Sequence, residues 1–237
     1  MSPANSGRER ASAAHLGATL RSVLVSPRAG FEGALRAMGR KERAGTRLPE
    51  GLSTYVLAAT GGAALVLLWL KLSALIGLRG DSAESFHWWY LIAGCALGAL
   101  LALVAQAIWG LLGPRIVARL GGSSSPRALR LVWGASAFPQ VAALVLLLPA
   151  DLLIVGPETF TNQAPGDPVS SVWAALSVAI AVALAVWSVC LFLLGTEVAG
   201  RVKLSRSIAA GAVAVLCLAI VLTAFRFGAV ALAGAGG

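Results

Sequence analysis

Residues 171–194 read Ser-Val-Trp-Ala-Ala-Leu-Ser-Val-Ala-Ile-Ala-Val-Ala-Leu-Ala-Val-Trp-Ser-Val-Cys-Leu-Phe-Leu-Leu, twenty-four positions without a charge. An α-helix needs roughly 20 such residues to cross a hydrocarbon core about 30 Å thick. Four more stretches of the same kind follow from the same reading: Leu52–Ile76, Trp88–Leu112, Leu131–Gly156 and Ile208–Leu232. Hydrophobic residues make up 58% of the 237 and the mean hydropathy is +0.82, outside the range of soluble domains. The expected fold is all-α: a bundle of five transmembrane helices over residues 52–237, preceded by a disordered tail, 1–14, and an amphipathic cytoplasmic helical segment, 15–51.

The charges between the spans set the expected orientation. Residues 1–51 hold nine Lys/Arg. The loop after the second span holds Arg115, Arg119, Arg127 and Arg130, and the loop after the fourth holds Arg201, Lys203 and Arg206. Sixteen of the nineteen basic residues thus fall on one side, while Asp81, Glu84, Glu158 and Asp167 fall on the other. Short basic loops resist translocation, so the basic side is expected in the cytoplasm, with the N-terminus inside and the C-terminus outside. The net charge of +9 follows from this asymmetry. Placed beside the membrane, it points to anionic lipid head groups as the partner and away from nucleic acid. Trp88, Trp89 and Trp173 would mark the outer boundary, Trp109 and Trp133 the inner one, as an aromatic belt does.

Residues 1–51 hold no continuous apolar core, so the first span is expected to act as an uncleaved signal anchor. Cys95, Cys190 and Cys217 lie inside spans without CxxC spacing and read as small packing residues. His15 and His87 stand alone, and no GxSxG, P-loop or GxGxxG sequence occurs. No catalytic, cofactor-binding or metal-binding residue is therefore predicted, and no enzyme.

Within the amphipathic segment, Ser26-Pro27 reads as a helix start, with Ser26 as N-cap and Pro27 at the first helical position. Phe31, Leu35 and Met38 line one face beyond it. That face suits either the lipid interface or the inner ends of the bundle. Gly94 and Gly98 form a GxxxG, favouring close packing inside the bundle over a dimer seam. Pro139 and Pro149 each remove a backbone donor from the third span and are expected to leave static kinks.

Lys71, Asp151 and Arg226 are ionisable groups inside spans. Counted from the cytoplasmic ends, they are residues 20, 21 and 19 of their helices. At about 1.5 Å per residue they lie within one turn in height. Two arrangements follow. Asp151 pairs with Lys71 or Arg226 in the bundle interior; or the cations snorkel separately and Asp151 caps its helix, an arrangement favoured by the nearness of all three to water.

The segment Val23-Leu24-Val25-Ser26-Pro27-Arg28-Ala29-Gly30-Phe31 resembles the PxxxF segment of bacterial members of the Yip domain family, the Rab/Ypt-interacting-protein-like polytopic membrane proteins. The Gly121–Ser125 loop and Trp133-Gly134-Ala135-Ser136-Ala137-Phe138-Pro139 are similar to that family's glycine loop and GYxxxP helix. Leu193-Leu194-Gly195-Thr196-Glu197-Val198 before a short basic loop completes the pattern. The resemblance runs from about Arg21 to the last span and marks Pro27, Phe31, Gly134, Pro139 and Glu197 as motif positions. It implies a non-enzymatic protein acting as an interaction or organising component of a membrane, with a membrane or cytoplasmic protein partner. A small-molecule transporter or channel, or a lipid-redistributing protein, is the alternative. The excess of Arg over Lys and the richness in Ala suggest a bacterium of high GC content, hence its plasma membrane.

Overall fold

The computed structural model describes residues 21–43, 50–75, 88–160, 167–213 and 215. Among them there is no strand. Helical residues 21–25 break at Ser26 and lead into α1, Pro27–Arg43. Then follow α2, Glu50–Leu75; α3, Trp88–Arg119; α4, Pro126–Ser136; and α5, Phe138–Ile154. A 3-10 turn, Gly156–Phe160, and the 33-residue α6, Pro168–Gly200, come next. A last helix, α7, covers 204–213.

Among the described residues, four units are long and apolar enough to cross a membrane: Ser53–Leu75, Leu91–Arg119, Pro126–Ile154 and Pro168–Gly200. Most of the fifth expected span, 208–232, lies outside the described residues, as do the tail 1–14 and Arg226. Helix ends differ from the expected ones on the basic side. The second span runs on to Arg119 through Pro114, the third starts at Pro126, and the fourth continues to Gly200. The hydrophobic windows end earlier because Arg115, Arg127 and Arg130 interrupt them, yet arginine is a good helix former.

Local chemistry explains the breaks. Ser125 caps α4, accepting the Ala128 N–H at 3.1 Å, and Pro126 occupies the first turn. The third span breaks at Ala137, where the chain tightens and the Ala137 N–H turns back to Gly134 O. Pro139 falls in the first turn of α5, where its missing N–H costs no helical bond. Pro149 sits inside α5, which continues past it to Ile154. Asp167 caps α6 by accepting the Ser170 N–H at 2.9 Å, and hydrogen bonds from Ser170 hold its carboxyl below the usual carboxylate range.

Helix α2 is the hub, packed on α3, α4, α5 and α6. It meets α3 at Gly62 and Gly98, where a methyl group on Gly98 would stand 2.6 Å from Gly62 O. The GxxxG therefore serves packing within the chain; Gly94, one turn away, faces Val66 and Leu70 of the same helix. The larger core cluster sits at the basic end, built on Phe31, Trp109, Val117, Leu129, Val132 and Leu191. A smaller one at the opposite end joins Leu67, Leu91 and Phe160. Outward positions such as Trp69, Leu111, Leu146 and Val186 are large, apolar and exposed, as suits a surface whose solvent is lipid.

The inner tryptophans depart from the belt expectation. Trp109 is 3% exposed, and both it and Trp133 pack around the Phe192 ring, at centroid distances of 5.2 and 5.5 Å. A tilted contact for Trp109 and an edge-on one for Trp133 hold both rings against Phe192.

Candidate functional site

The polar side chains buried among the apolar helices gather at two levels. Toward the acidic end, Lys71 of α2 and Asp151 of α5 meet with Nζ 2.5 Å from Oδ2, at 6% and 0% exposure. Both helices run in the same direction from the basic end, so equal counts along them give equal height. Helix α6 returns beside them and offers Trp173 and Ser177, four residues apart on one face. The Trp173 indole N–H donates to Asp151 Oδ1 at 3.0 Å, and Lys71 Nζ donates to Ser177 Oγ at 2.7 Å. Taking two charges out of water costs several kcal/mol per ion, and only close geometry with further hydrogen bonds offsets it. Here the geometry is close and each ion gains one further hydrogen bond, while Asp151 Oδ2 faces Lys71 without a hydrogen bond of its own.

Above the pair, the chain closes the end of the bundle. Phe160 is buried against Leu67 and Leu91, and Ser170 Oγ donates to Ile154 O at 3.0 Å, tying the start of α6 to the end of α5. Of the two arrangements open to the sequence, the structure places Lys71 and Asp151 in one contact. For Lys71 and Asp151 the separate arrangement does not hold, because the depth count gave how far each group lies along its helix and not which way it faces; Arg226 lies outside the described residues.

At the basic level, Gln106 of α3 is fully buried and donates to Arg130 O at 3.1 Å, while Arg130 Nη1 donates to Tyr55 Oη at 3.0 Å. Gln140 is buried on α5, and Ser136, Thr196 and Ser207 are buried as well. Sequence reading singled out neither Gln140 nor the Arg130–Tyr55 contact. A neutral amide in an apolar span was the available signal for Gln140.

Pro27, Phe31 and Glu197, three of the five motif positions, lie where α1 packs on the basic end. Phe31 is fully buried, its ring against Gly195 and packed in the cluster that contains Val132 and Leu191. A methyl group on Gly195 would stand 2.9 Å from Phe31 Cζ, so the glycine makes the socket. Beside it Arg28 Nη2 donates to both Glu197 carboxylate oxygens, at 3.0 and 3.1 Å. Thus α1 rests on the bundle, and of its two expected surfaces the helix ends on the basic side receive its apolar face. Gly134 lets α4 approach α2, since a Cβ there would meet Thr54 O at 2.6 Å. Pro27 opens α1 and Pro139 opens α5.

The two basic loops are stitched together around this end. The Ser123 N–H donates to Gly200 O at 3.0 Å, and Arg206 Nη1 donates to Leu120 O at 2.6 Å. Gly121 turns the first loop with φ 81°, a conformation glycine adopts without strain. Exposed cations flank these loops: Arg28 and Arg36 on α1, Arg119 at the end of α3, Arg127 at the start of α4, and Arg201 and Lys203 in the second loop. Among the described residues no group of His, Cys, Asp and Glu could hold a metal ion.

Comparison with family models, with curated proteins and with solved structures gave no match for this chain.

Proposed function

We propose that this chain is a non-enzymatic integral membrane protein of the Yip domain type, working as a membrane-embedded interaction or organising protein. It lies in a bacterial plasma membrane with the N-terminus in the cytoplasm and the C-terminus outside. The observation that supports this reading is the docked basic end. Pro27, Phe31 and Glu197, positions named by the resemblance, seat α1 on the bundle and leave its charged face outward. With the two stitched loops it forms one cationic surface next to the membrane. Such a surface attracts anionic head groups at about 1 kcal/mol per cation near the bilayer and is free to receive a protein partner.

Affinity purification of the tagged chain from its native membrane tests the proposal. A stoichiometric protein partner is expected, lost when Arg201 and Lys203 are reversed to Glu in a chain that still folds. Purification of the wild type alone from gently solubilised membranes, with no cross-linked partner, refutes it. The buried Lys71–Asp151 pair favours a second reading, since ionisable groups among spanning helices often serve a substrate path. Solute or lipid movement in liposomes, abolished by Asp151→Asn, would establish that reading in place of the first.

A further inference from the structure

Large exposed apolar side chains mark the height of the lipid belt on three helices. They run from Val56 to Leu75 on α2, from Trp89 to Leu112 on α3 and from Val169 to Val189 on α6. At about 1.5 Å per residue each run covers roughly 28–35 Å, close to the thickness of a hydrocarbon core, about 30 Å. Val56, Leu112 and Val189 therefore lie at the edge of the belt on the basic side.

Arg130 is fixed at that edge by its own helix and two others. Its Nε donates to Pro126 O at 3.3 Å, and its Nη1 donates at 3.0 Å to the hydroxyl of Tyr55, the neighbour of Val56. Its stem crosses α3 at Gly110, two residues before Leu112, where a Cβ would stand 3.0 Å from Arg130 Cδ. A guanidinium has five N–H donors, and among the described residues only these two find an acceptor. No carboxylate pairs with Arg130 among the described residues. The Tyr55 hydroxyl accepts from Arg130 and keeps its own proton to donate. Arg115 folds back to the same edge, its Nη1 donating to Leu111 O at 3.0 Å, and adds a second cation.

A half-buried guanidinium and a half-buried phenol thus offer donors side by side at the depth where a leaflet carries its phosphates. The planar fork of arginine matches phosphate oxygens. Val56, Leu111 and Leu112, exposed on the adjoining positions of α2 and α3, give acyl chains an apolar surface to lie on. A soluble anion would not use that surface, and water would leave the charge unneutralised.

We propose that Arg130 and Tyr55 hold the phosphate of an anionic phospholipid in the leaflet on the basic side. The unpaired guanidinium favours a head group of net negative charge over a zwitterionic one. The site rests on the reading of this chain as membrane-embedded and not on its having a protein partner.

Native mass spectrometry of the full chain, released from detergent micelles after incubation with phosphatidylglycerol or phosphatidylcholine, tests this. Phosphatidylglycerol should be retained at a several-fold lower concentration than phosphatidylcholine requires, and Arg130→Gln should weaken that retention several-fold. In case that variant does not fold, Tyr55→Phe, which keeps the ring and removes the hydroxyl, should weaken it as well. Glycerol phosphate, the head-group anion without acyl chains, should not displace the lipid. Equal retention of the two lipids overturns the proposal. So does phosphatidylglycerol retention unchanged in folded Arg130→Gln, or in Tyr55→Phe where Arg130→Gln does not fold. Displacement by glycerol phosphate overturns the lipid assignment in favour of a soluble phosphate ester. A chain that stays dispersed in water without detergent overturns the membrane reading itself, and the site with it.

Discussion

Replacing Asp151 with Asn keeps the shape of the side chain and leaves an oxygen that can accept the Trp173 N–H. It removes the charge facing Lys71. With Lys71 at 6% and Asp151 at 0% exposure, little water is at hand to take over. Removing one partner of a buried pair costs about 3–5 kcal/mol, because the other charge is left uncompensated. Lys71→Met should cost a similar amount for the same reason, stranding Asp151. The double variant strands no charge, but the Asn amide N–H groups are left facing Met, at about 1–3 kcal/mol. It also loses the Lys71–Ser177 hydrogen bond, about 1 kcal/mol. Its total loss should therefore be about 2–4 kcal/mol, against roughly 6 or more if the single losses added. Steric trapping of the purified protein in bicelles, which reads unfolding free energy without denaturant, measures all four corners of the cycle. Additivity within about 0.5 kcal/mol would mean that the two groups do not act on each other, and the ion pair would have to be abandoned.

Phe31→Ala empties the socket under α1 and should cost about 3–5 kcal/mol of docking, seen as faster tryptic cutting at Arg28 and Arg36; unchanged protection would show that α1 is held elsewhere. Arg28→Ala should cost less than about 1 kcal/mol, since Arg28 is 61% exposed and its pair with Glu197 is screened; a loss comparable to that of Phe31→Ala would contradict this ranking. Gly98→Val should destabilise the bundle by about 1–3 kcal/mol by forcing α3 away from Gly62 of α2, and a melting temperature equal to the wild type would argue against the close crossing. A reporter after Gly237 should be active only outside the cytoplasm and one at Ser124 only inside; cytoplasmic activity at Gly237 would remove the fifth span.

The all-helical character, the four apolar spanning units and the breaks at Ser26-Pro27 and near Pro139 were legible from residue order. They rest on local physics: backbone bonds must be satisfied within each apolar helix, and proline cannot donate one. The shared height of Lys71 and Asp151 was legible too, since the rise of an α-helix is constant. Rotation about each helix axis was not. Helices α2, α3, α5 and α6 are apolar around their whole circumference, and lipid is as apolar as a protein interior, so their composition marks no inward face. The tertiary structure alone turned Asp151 toward Lys71 and Trp173, drew Trp109 inward, buried Gln140 and seated Phe31 on Gly195. Those choices depend on where glycines allow close approach, Gly62 to Gly98 and Gly195 to Phe31, and such meetings are made between helices distant in the chain.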